Sequence, residues 1–417
     1  MHGKAPQKAL INRRKPSSRA LANKAKVLKA IFRNATDHGL DQLSIGQLAK
    51  RAGLTTGAIY GRFEDRDELA VELWQSVVKE PFRARLERSV EYISNKQRGG
   101  DPQLSVSSNR AELQTLLTSD FESPNEIAKL GAEFLVVARR DLAIGEVVVP
   151  EVTKWFADFG LVKSRSAIDR AAIVIALSAS IGTALRSFAL KSNPNWIAIA
   201  EGLRMACADA TSIARPKDLA PPNWQDPQTD NPVRTALIYA VAEVVAKSGY
   251  ANATISRIVR RAGLTNGSLY NLYADKEALT DDAMEIFLNL SSDVNRDSNI
   301  RAAEHLQIDR GLTDSFDLAF MPNRRSWLDF RLECLIASRD HAPTRKKFKQ
   351  SLERSRDSLV ATMHDLPQTT VNLLSSGEQA VGIGLTTLAP YTTLLQECDY
   401  YSIMAKLSEQ NRLFFKK

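Results

Sequence analysis

The chain contains the same 31-residue pattern twice, without a gap and at a constant offset of 210. The first copy is residues 39–69, GLDQLSIGQLAKRAGLTTGAIYGRFEDRDEL, and the second is residues 249–279, GYANATISRIVRRAGLTNGSLYNLYADKEAL. Eleven of the 31 aligned positions are identical, and most of the others are conservative pairs. Self-similarity of this kind indicates that one structural unit occurs twice in the chain.

Each copy predicts a long helix, a short second helix, a sharp turn and a short third helix. Apolar residues recur at helical spacing before each copy, and the second helices are IGQLAKRA and ISRIVRRA. Four residue pairs are expected, in order, to end the first helix, cap the second, form the turn and cap the third. These pairs are Gly39 and Gly249, Ser44 and Thr254, Gly53 and Gly263, and Thr55 and Thr265. Two short helices joined by a glycine turn are the helix-turn-helix layout.

The first copy resembles the signature of the tetracycline-repressor-like (TetR-type) transcription regulators. The shared positions are Ser44, Leu48, Ala49, Ala52, Gly53, Leu54, Thr55, Gly57, Tyr60, Phe63, Arg66 and Leu69. Residues 254–279 match the same signature, with Lys276 at the basic position. The resemblance covers roughly residues 19–75 and 233–287. It implies an all-α fold with two homeodomain-like three-helix heads, each followed by a TetR-type C-terminal helical bundle.

The third helix of each copy is expected to enter a major groove of DNA, where small outward side chains allow the backbone to come close. The resemblance implies that Tyr60 and Tyr270 reach phosphates, and that the cap and basic positions add contacts that set the register. The predicted DNA-binding residues are Ser44, Gln47, Thr55, Thr56, Gly57, Ala58, Tyr60, Arg62 and Arg66, together with Thr254, Arg257, Thr265, Asn266, Gly267, Ser268, Tyr270, Asn271 and Lys276. Taken singly, each also fits a packed or solvated helix face, but the set in two copies favours DNA.

The two copies differ at the positions that would read bases. The differing pairs are Gln47 and Arg257, Thr56 and Asn266, Ala58 and Ser268, Gly61 and Asn271, and Arg62 and Leu272. Arginine favours guanine and asparagine favours adenine. We therefore predict that the heads recognise different half-sites of an asymmetric operator. Leu272 lacks a polar group, which predicts weaker binding by the second head.

The positive charge of the chain is concentrated before the first copy. The first 36 residues contain ten Lys and Arg residues and no acidic residue, whereas the whole chain carries +8, so the remainder sums to −2. We expect residues 1–18 to form a basic arm that contacts the phosphate backbone or a minor groove, through Arg13, Arg14 and Lys15, with Arg19 just beyond it. By itself, this segment would equally fit a solubilising tail.

The rest of each half is expected to be a helical bundle. Residues 130–141 and 330–341 align Glu133 with Glu333 and Arg139 with Arg339, which indicates that the duplication includes the whole regulator. Residues 215–232 contain five prolines and are typical of a linker. The predicted domains are a basic arm (1–18), a first helix-turn-helix domain (19–75), a first helical domain (76–213), a Pro-rich linker (214–232), a second helix-turn-helix domain (233–287) and a second helical domain (288–417).

The resemblance also implies a two-fold assembly of C-terminal helices and release from DNA by a small-molecule effector. The small-residue helices at 171–190 and 379–396 are expected to pair within one chain. This would give a monomeric pseudo-dimer with heads about 34–36 Å apart, with a four-headed homodimer as the alternative. Candidate effector-binding residues, although residues of this kind are more often simply core, are Phe134, Trp155, Phe156, Phe159, Trp327, Phe330 and Cys334.

Other classes of protein are not favoured. The five histidines are scattered and no nucleophile, metal-ligand or phosphate-loop motif is found, so neither an enzyme nor a cofactor is expected. The uncharged runs 171–185 and 379–396 are too short or too polar to span a membrane and are predicted to be buried helices. Three isolated cysteines and the lack of a secretion signal predict a cytoplasmic, nucleoid-associated protein. The remaining alternative is a helical interaction scaffold in which one or both heads no longer bind DNA.

Overall fold

The computed structural model describes residues 18–94, 110–190, 195–217, 222–304, 308–363 and 366–415. The predicted arm residues Arg13, Arg14 and Lys15 lie outside these ranges, and so does the side chain of Arg19. Within them the chain is helical and contains no β-strand, which confirms the all-α prediction. The helices fall into two halves that follow the repeat.

The first half begins with a three-helix head and continues into a bundle. Its helices are α1 (Ser18–His38), α2 (Ile45–Ala52), α3 (Thr56–Tyr60), α4 (Arg66–Leu73), α5 (Lys79–Ile93), α6 (Arg110–Glu122), α7 (Glu126–Val137), α8 (Leu142–Asp158), α9 (Ala167–Arg186) and α10 (Trp196–Asp209). A π-helical turn, Trp74–Val78, joins α4 to α5 without a break. The head and the bundle therefore share one continuous helix, and the predicted boundary at residue 75 falls inside it.

The second half repeats this order. Its helices are α11 (Pro232–Ser248), α12 (Ile255–Ala262), α13 (Asn266–Tyr270), α14 (Lys276–Glu304), α15 (Ile308–Asp317), α16 (Arg325–Ala337), α17 (Ala342–Thr362), α18 (Gln368–Leu388) and α19 (Tyr400–Phe415). Helix α14 passes through the predicted boundary at residue 287, so the second head is also continuous with its bundle. The predicted helix 379–396 ends earlier, at Leu388, and continues as two 3₁₀ turns around Pro390, which lacks the backbone N–H that a helix interior needs.

The turns of the two heads follow the local sequence chemistry. Gly53 and Gly263 adopt the left-handed conformation, with φ of 64° and 69°, which side chains other than glycine rarely adopt. Thr55 and Thr265 cap the third helices by accepting a hydrogen bond from the backbone N–H three residues on, each at 3.2 Å. Thr254 caps α12 in the same way, whereas Ser44 stands at the N-cap position of α2 without a side-chain cap bond.

The two halves meet where α9 crosses α18. The backbones are so close that a Cβ atom added to Gly182 would lie 1.7 Å from the carbonyl oxygen of Ala380, and one added to Gly384 would lie 2.0 Å from that of Ser178. These two contacts are exchanged by an offset of 202, so the halves are related by a local two-fold axis at this crossing. Close approach of this kind requires small residues on both helices.

Helix α9 is long and apolar enough to cross a membrane by length and composition alone. All of its apolar window is nevertheless buried inside the protein, as expected for the central helix of a bundle.

The linker is attached to the second half. Residues 214–217 and 222–231 of the predicted linker have no helix or strand, and its last residue, Pro232, begins α11. Arg215 forms ion pairs of 2.5 Å with both Asp314 and Asp317. Trp224 is buried, and the guanidinium carbon of Arg324 lies 4.3 Å from its ring centroid. These contacts fix the path of the linker along α15 and the start of α16.

Candidate nucleic-acid interface

The third helix of each head is anchored by a buried side chain and exposes its opposite face. In the first head Ile59 is fully buried, while Thr56, Gly57 and Ala58 are exposed. The second head repeats this arrangement, with Leu269 buried, Asn266 and Gly267 exposed and Ser268 partly exposed. One apolar anchor per turn therefore fixes each helix while its opposite face contacts solvent.

The outward faces of these helices are sterically open. A Cβ atom added to Gly57 would meet nothing within 4 Å, and one added to Gly267 would make an ordinary contact of 3.7 Å with Thr265. Tyr60 and Tyr270 are 59% and 55% exposed, unusual fractions for large aromatic side chains. Neither hydroxyl bonds to another residue in the part of the chain that the structure describes. Both rings are thus exposed to solvent.

The other predicted base-reading positions are also at the surface. Gln47 and Arg257 are exposed on the second helices, although each contacts its own head. The Gln47 Oε1 atom accepts a 3.0 Å hydrogen bond from Asn34, and Arg257 donates a 3.3 Å bond to the carbonyl of Asn252. Arg62 and Asn271 are exposed directly after the third helices.

Arg66 and Lys276, predicted to contact phosphates, also have partners within the protein. The Arg66 guanidinium lies 2.5 Å from Asp141 and 3.2 Å from Asp41. Lys276 donates to the carbonyl oxygen of Tyr250 at 3.1 Å, and its ammonium lies 4.9 Å from the centroid of the Tyr250 ring. The Arg66 pair with Asp141 connects the first head to α8 of its bundle, whereas Lys276 contacts Tyr250 within the second head. Phosphate contact by either cation stays a prediction.

A cluster of buried charges, which we call the head junction, connects the first head to both halves. It consists of Asp41, Glu133, Arg140, Glu333 and Arg339. Arg140 bridges Asp41 at 2.7 Å and Glu333 at 2.6 Å, so it joins the first head to α16 of the second half.

The same junction contains a reciprocal pair from the other half. Glu133 is paired with Arg339 and accepts a 2.8 Å hydrogen bond from the backbone N–H of Leu40. Each glutamate therefore binds an arginine of the opposite half. The aligned segments 130–141 and 330–341 contained these residues, but the sequence does not show that the pairs cross between halves.

The predicted effector-binding residues fill the core. Trp74 packs between Phe134 and Trp155, with ring centroids 5.2 and 5.6 Å away. In the second half Trp327 stacks on Phe287 at 4.8 Å and contacts Phe330 at 5.8 Å. The remaining candidates are equally buried: Phe156, Phe159 and Cys334. None of the seven lines either cavity described below, and a role of these residues in effector binding stays a prediction.

Two cavities lie elsewhere in the bundles. The polar cavity, about 110 Å³, lies within the second half between α14, α15, α16, α17 and α18. The apolar cavity, about 290 Å³, lies between the halves and is lined by residues such as Ile199, Leu374 and Met404. Glu378 lines both. Within the described residues, no group of three or more His, Cys, Asp or Glu side chains is placed to hold a metal ion.

Two three-helix heads with exposed third helices have the helix-turn-helix architecture. Residues 18–73 and 237–283 match the family described as "Bacterial regulatory proteins, tetR family". Over 62 residues the chain is 36% identical to the HTH-type transcriptional regulator AcrR of Shigella flexneri. That match covers 15% of this chain and 29% of the relative. The two matched regions are the two heads, so the chain contains, in tandem, two domains similar to the N-terminal domain of the tetR family.

Proposed function

We propose that the chain binds double-stranded DNA through both heads and regulates transcription, most simply as a repressor that a small-molecule effector releases. The observation that carries this proposal is the exposure of the third-helix face in both copies, around Gly57 and Gly267, above buried anchors. The chain acts by binding, without a catalytic step or cofactor, and we place it in the cytoplasm on the nucleoid.

We further propose that one chain acts as a pseudo-dimer. The reciprocal contacts of Gly182 and Gly384 give the two bundles the symmetry that two separate subunits would otherwise supply. A two-fold arrangement of heads suits two half-sites about 34–36 Å apart. Because the exposed residues Gln47 and Arg257, and Thr56 and Asn266, differ between the heads, the operator is expected to be asymmetric.

The test adds one negative charge to each open helix face. Gly57→Glu and Gly267→Glu are tolerated by the fold, since the added side chains meet open space and a carboxylate near a helix N-terminus is favourable. On DNA the same charge faces phosphates, and like-charge contacts cost several kcal/mol. Leu116→Glu is the matched control, because it adds the same charge at an exposed position of α6.

Binding is measured by fluorescence anisotropy on DNA selected from a random library by the wild-type chain. We expect each glutamate variant to lose at least tenfold in affinity and the control to match wild type. If Gly267→Glu alone has no effect, the second head does not bind DNA. If neither variant has an effect, the chain is not a DNA-binding regulator of this kind.

The sequence of the selected DNA tests the asymmetry of the operator, and the mass of the complex tests the number of chains bound. An asymmetric operator predicts that selection yields two different half-sites, and a perfect palindrome would contradict it. Light scattering on the complex is expected to give one chain per operator. Two chains per operator would instead indicate the four-headed homodimer.

A further inference from the structure

The polar cavity of the second half contains two arginines without a counter-charge. Arg331 lines the cavity and makes no hydrogen bond or ion pair with any residue that the structure describes. Arg324, also on its wall, donates to the Leu318 carbonyl at 3.1 Å and to the Ser291 hydroxyl at 3.0 Å. Neither guanidinium contacts a carboxylate within the described ranges. Arg324 is buried with neutral partners only and Arg331 is partly buried. A guanidinium that loses water without gaining an anion is unfavourable, so an anion in this cavity would be stabilised.

The two arginines affect each other. Burial lowers the pKa of Arg331 to about 10, and burial together with the nearby Arg331 lowers the pKa of Arg324 to about 9. Both side chains are still charged near neutral pH, so their repulsion persists inside the bundle. An anion bound within the cavity would offset both charges at once.

In the first half, a phenylalanine ring fills the space that corresponds to the polar cavity. Arg331 corresponds to Gly131 in the aligned segments, and a Cβ atom at Gly131 would lie 2.3 Å from the ring of Phe82. Phe82 is fully buried in that space. Its counterpart at an offset of 210 is Ser292, or Ser291 if the π turn shifts the register by one, and both serines line the polar cavity. The glycine and the phenylalanine of the first half thus correspond to an arginine and a serine in the second half.

At a third position, too, the second half has a polar residue where the first half has a small one. Glu378 corresponds to Ala176 at the offset of 202 set by the helix crossing, and Ala176 is fully buried. Burial raises the pKa of Glu378 to about 7, so near neutral pH its carboxyl is in part a hydrogen-bond donor. The side-chain oxygen of Asn295, on the same wall, is buried without a hydrogen-bond donor. Polar groups therefore line the cavity on several sides, and the Asn295 oxygen among them lacks a donor.

The size and walls of the cavity restrict the anion. About 110 Å³ accommodates about ten water-sized groups. Leu288, Leu335 and Phe348 provide apolar wall, which an inorganic ion would leave without contacts. The fitting molecule has one anionic end and a compact apolar body.

We infer that the second half, and not the first, binds one small organic carboxylate in the polar cavity, with Arg331 as its principal ion-pair partner and Arg324 beside it. That this carboxylate is the effector rests on the proposed function. The binding itself does not, so the two can fail separately.

The test uses benzoate as the carboxylate probe, benzamide as its uncharged analogue and inorganic phosphate as the anion without an apolar body. Melting temperature and calorimetric binding are measured on the full chain at constant ionic strength. Arg331→Met removes the charge, and Ser292→Phe fills the cavity as Phe82 fills the first half. Arg354→Met, at an exposed position of α17, is the control.

We expect benzoate to bind with one equivalent per chain and to raise the melting temperature, and benzamide and phosphate to do neither. Arg331→Met and Ser292→Phe are expected to weaken benzoate binding at least tenfold without lowering the melting temperature of the ligand-free chain, and Arg354→Met to bind as wild type does. The inference is overturned if benzoate does not bind, if benzamide or phosphate binds equally well, if two equivalents bind, or if Arg331→Met binds normally. Benzoate binding that leaves the affinity for DNA unchanged would refute only the effector role.

Discussion

The close crossing of α9 and α18 predicts opposite effects on stability for alanine substitutions at two glycines of α18. In Gly384→Ala the new methyl carbon would lie 2.0 Å from the carbonyl oxygen of Ser178 and 2.4 Å from its Cα atom. Ordinary van der Waals contact begins at about 3.4 Å, and the obstructing atoms belong to the backbone, which cannot rotate away. The two helices must therefore separate by about 1 Å or more. Gly382, two residues earlier, has nothing within 4 Å of its added Cβ.

The expected energies separate the two variants clearly. Replacing a glycine inside a helix by alanine stabilises the folded state by about 1 kcal/mol, and both variants gain this. Overpacking costs about 1–3 kcal/mol, and the upper value applies where backbone blocks backbone. Gly382→Ala is thus expected to be about 1 kcal/mol more stable than wild type. Gly384→Ala is expected to be about 2 kcal/mol less stable, a difference between the variants of about 3 kcal/mol.

Urea unfolding followed by far-ultraviolet circular dichroism measures this difference, with Gly382→Ala as the matched control. Gly182→Ala, the reciprocal position, should repeat the result of Gly384→Ala because its Cβ would lie 1.7 Å from the Ala380 carbonyl oxygen. Equal stability of Gly384→Ala and Gly382→Ala would show that the helices do not cross this closely in solution. The pseudo-dimer would then lose its structural basis.

Three further predictions concern charge. Burial raises the pKa of Glu378 from 4.5 to about 7, so its stabilising contribution is complete below about pH 4.5 and is lost as the pH rises through 7. Urea unfolding should show wild type losing about 3 kcal/mol between about pH 5 and pH 8 relative to Glu378→Gln, and parallel pH profiles would contradict this. Arg140→Met leaves Glu333 buried without its ion-pair partner and should cost about 3–5 kcal/mol in the same assay, against less than about 1 kcal/mol for Arg83→Met, whose pair with an aspartate is partly exposed. Deleting residues 2–17 removes five basic side chains, so the slope of log affinity for DNA against log salt should fall by about 0.9 for each phosphate that the arm neutralises in the wild-type complex, and an unchanged slope would exclude the basic arm from binding.

The heads could be predicted from the sequence because their determinants lie within a few residues of one another. A glycine at the left-handed turn and a threonine cap act locally, so Gly53 and Thr55 identify the turn and the third helix by themselves. The pairing of α9 with α18 was also predictable, since small residues on two otherwise apolar helices favour close packing.

The contacts between distant segments could not be predicted in the same way. Arg66 pairs with Asp141, 75 residues away, and Arg140 with Glu333, 193 residues away. The alignment of Arg139 with Arg339 suggested equivalent roles. In the structure, however, Arg339 pairs with Glu133, and the reciprocal glutamate is bound by Arg140. Arg140 and Arg339 are thus one position apart in the aligned segments. Which arginine faces the junction depends on how each helix ends, and the periodicity of the sequence does not determine this.

The cavity was missed for a different reason. Aromatic residues were expected to surround a ligand, but rings bury most area against each other and therefore formed the cores. The useful signal was the opposite one. At aligned positions, Gly131 and Ala176 of the first half are replaced by Arg331 and Glu378, and an ionisable residue in place of a small one indicates a polar site.

Helix α16 connects the polar cavity with the head junction. Arg331 faces the polar cavity, while Glu333, two residues further on, holds Arg140 and through it Asp41 of the first head. Residues two apart on a helix point in nearly opposite directions, so α16 lies between the cavity and the head junction and cannot shift toward one without leaving the other. The reciprocal path in the first half starts at Gly131, where Phe82 already fills the space. A ligand in the second half would therefore act on the first head, and a chain with two heads would need only one site to change their relative position.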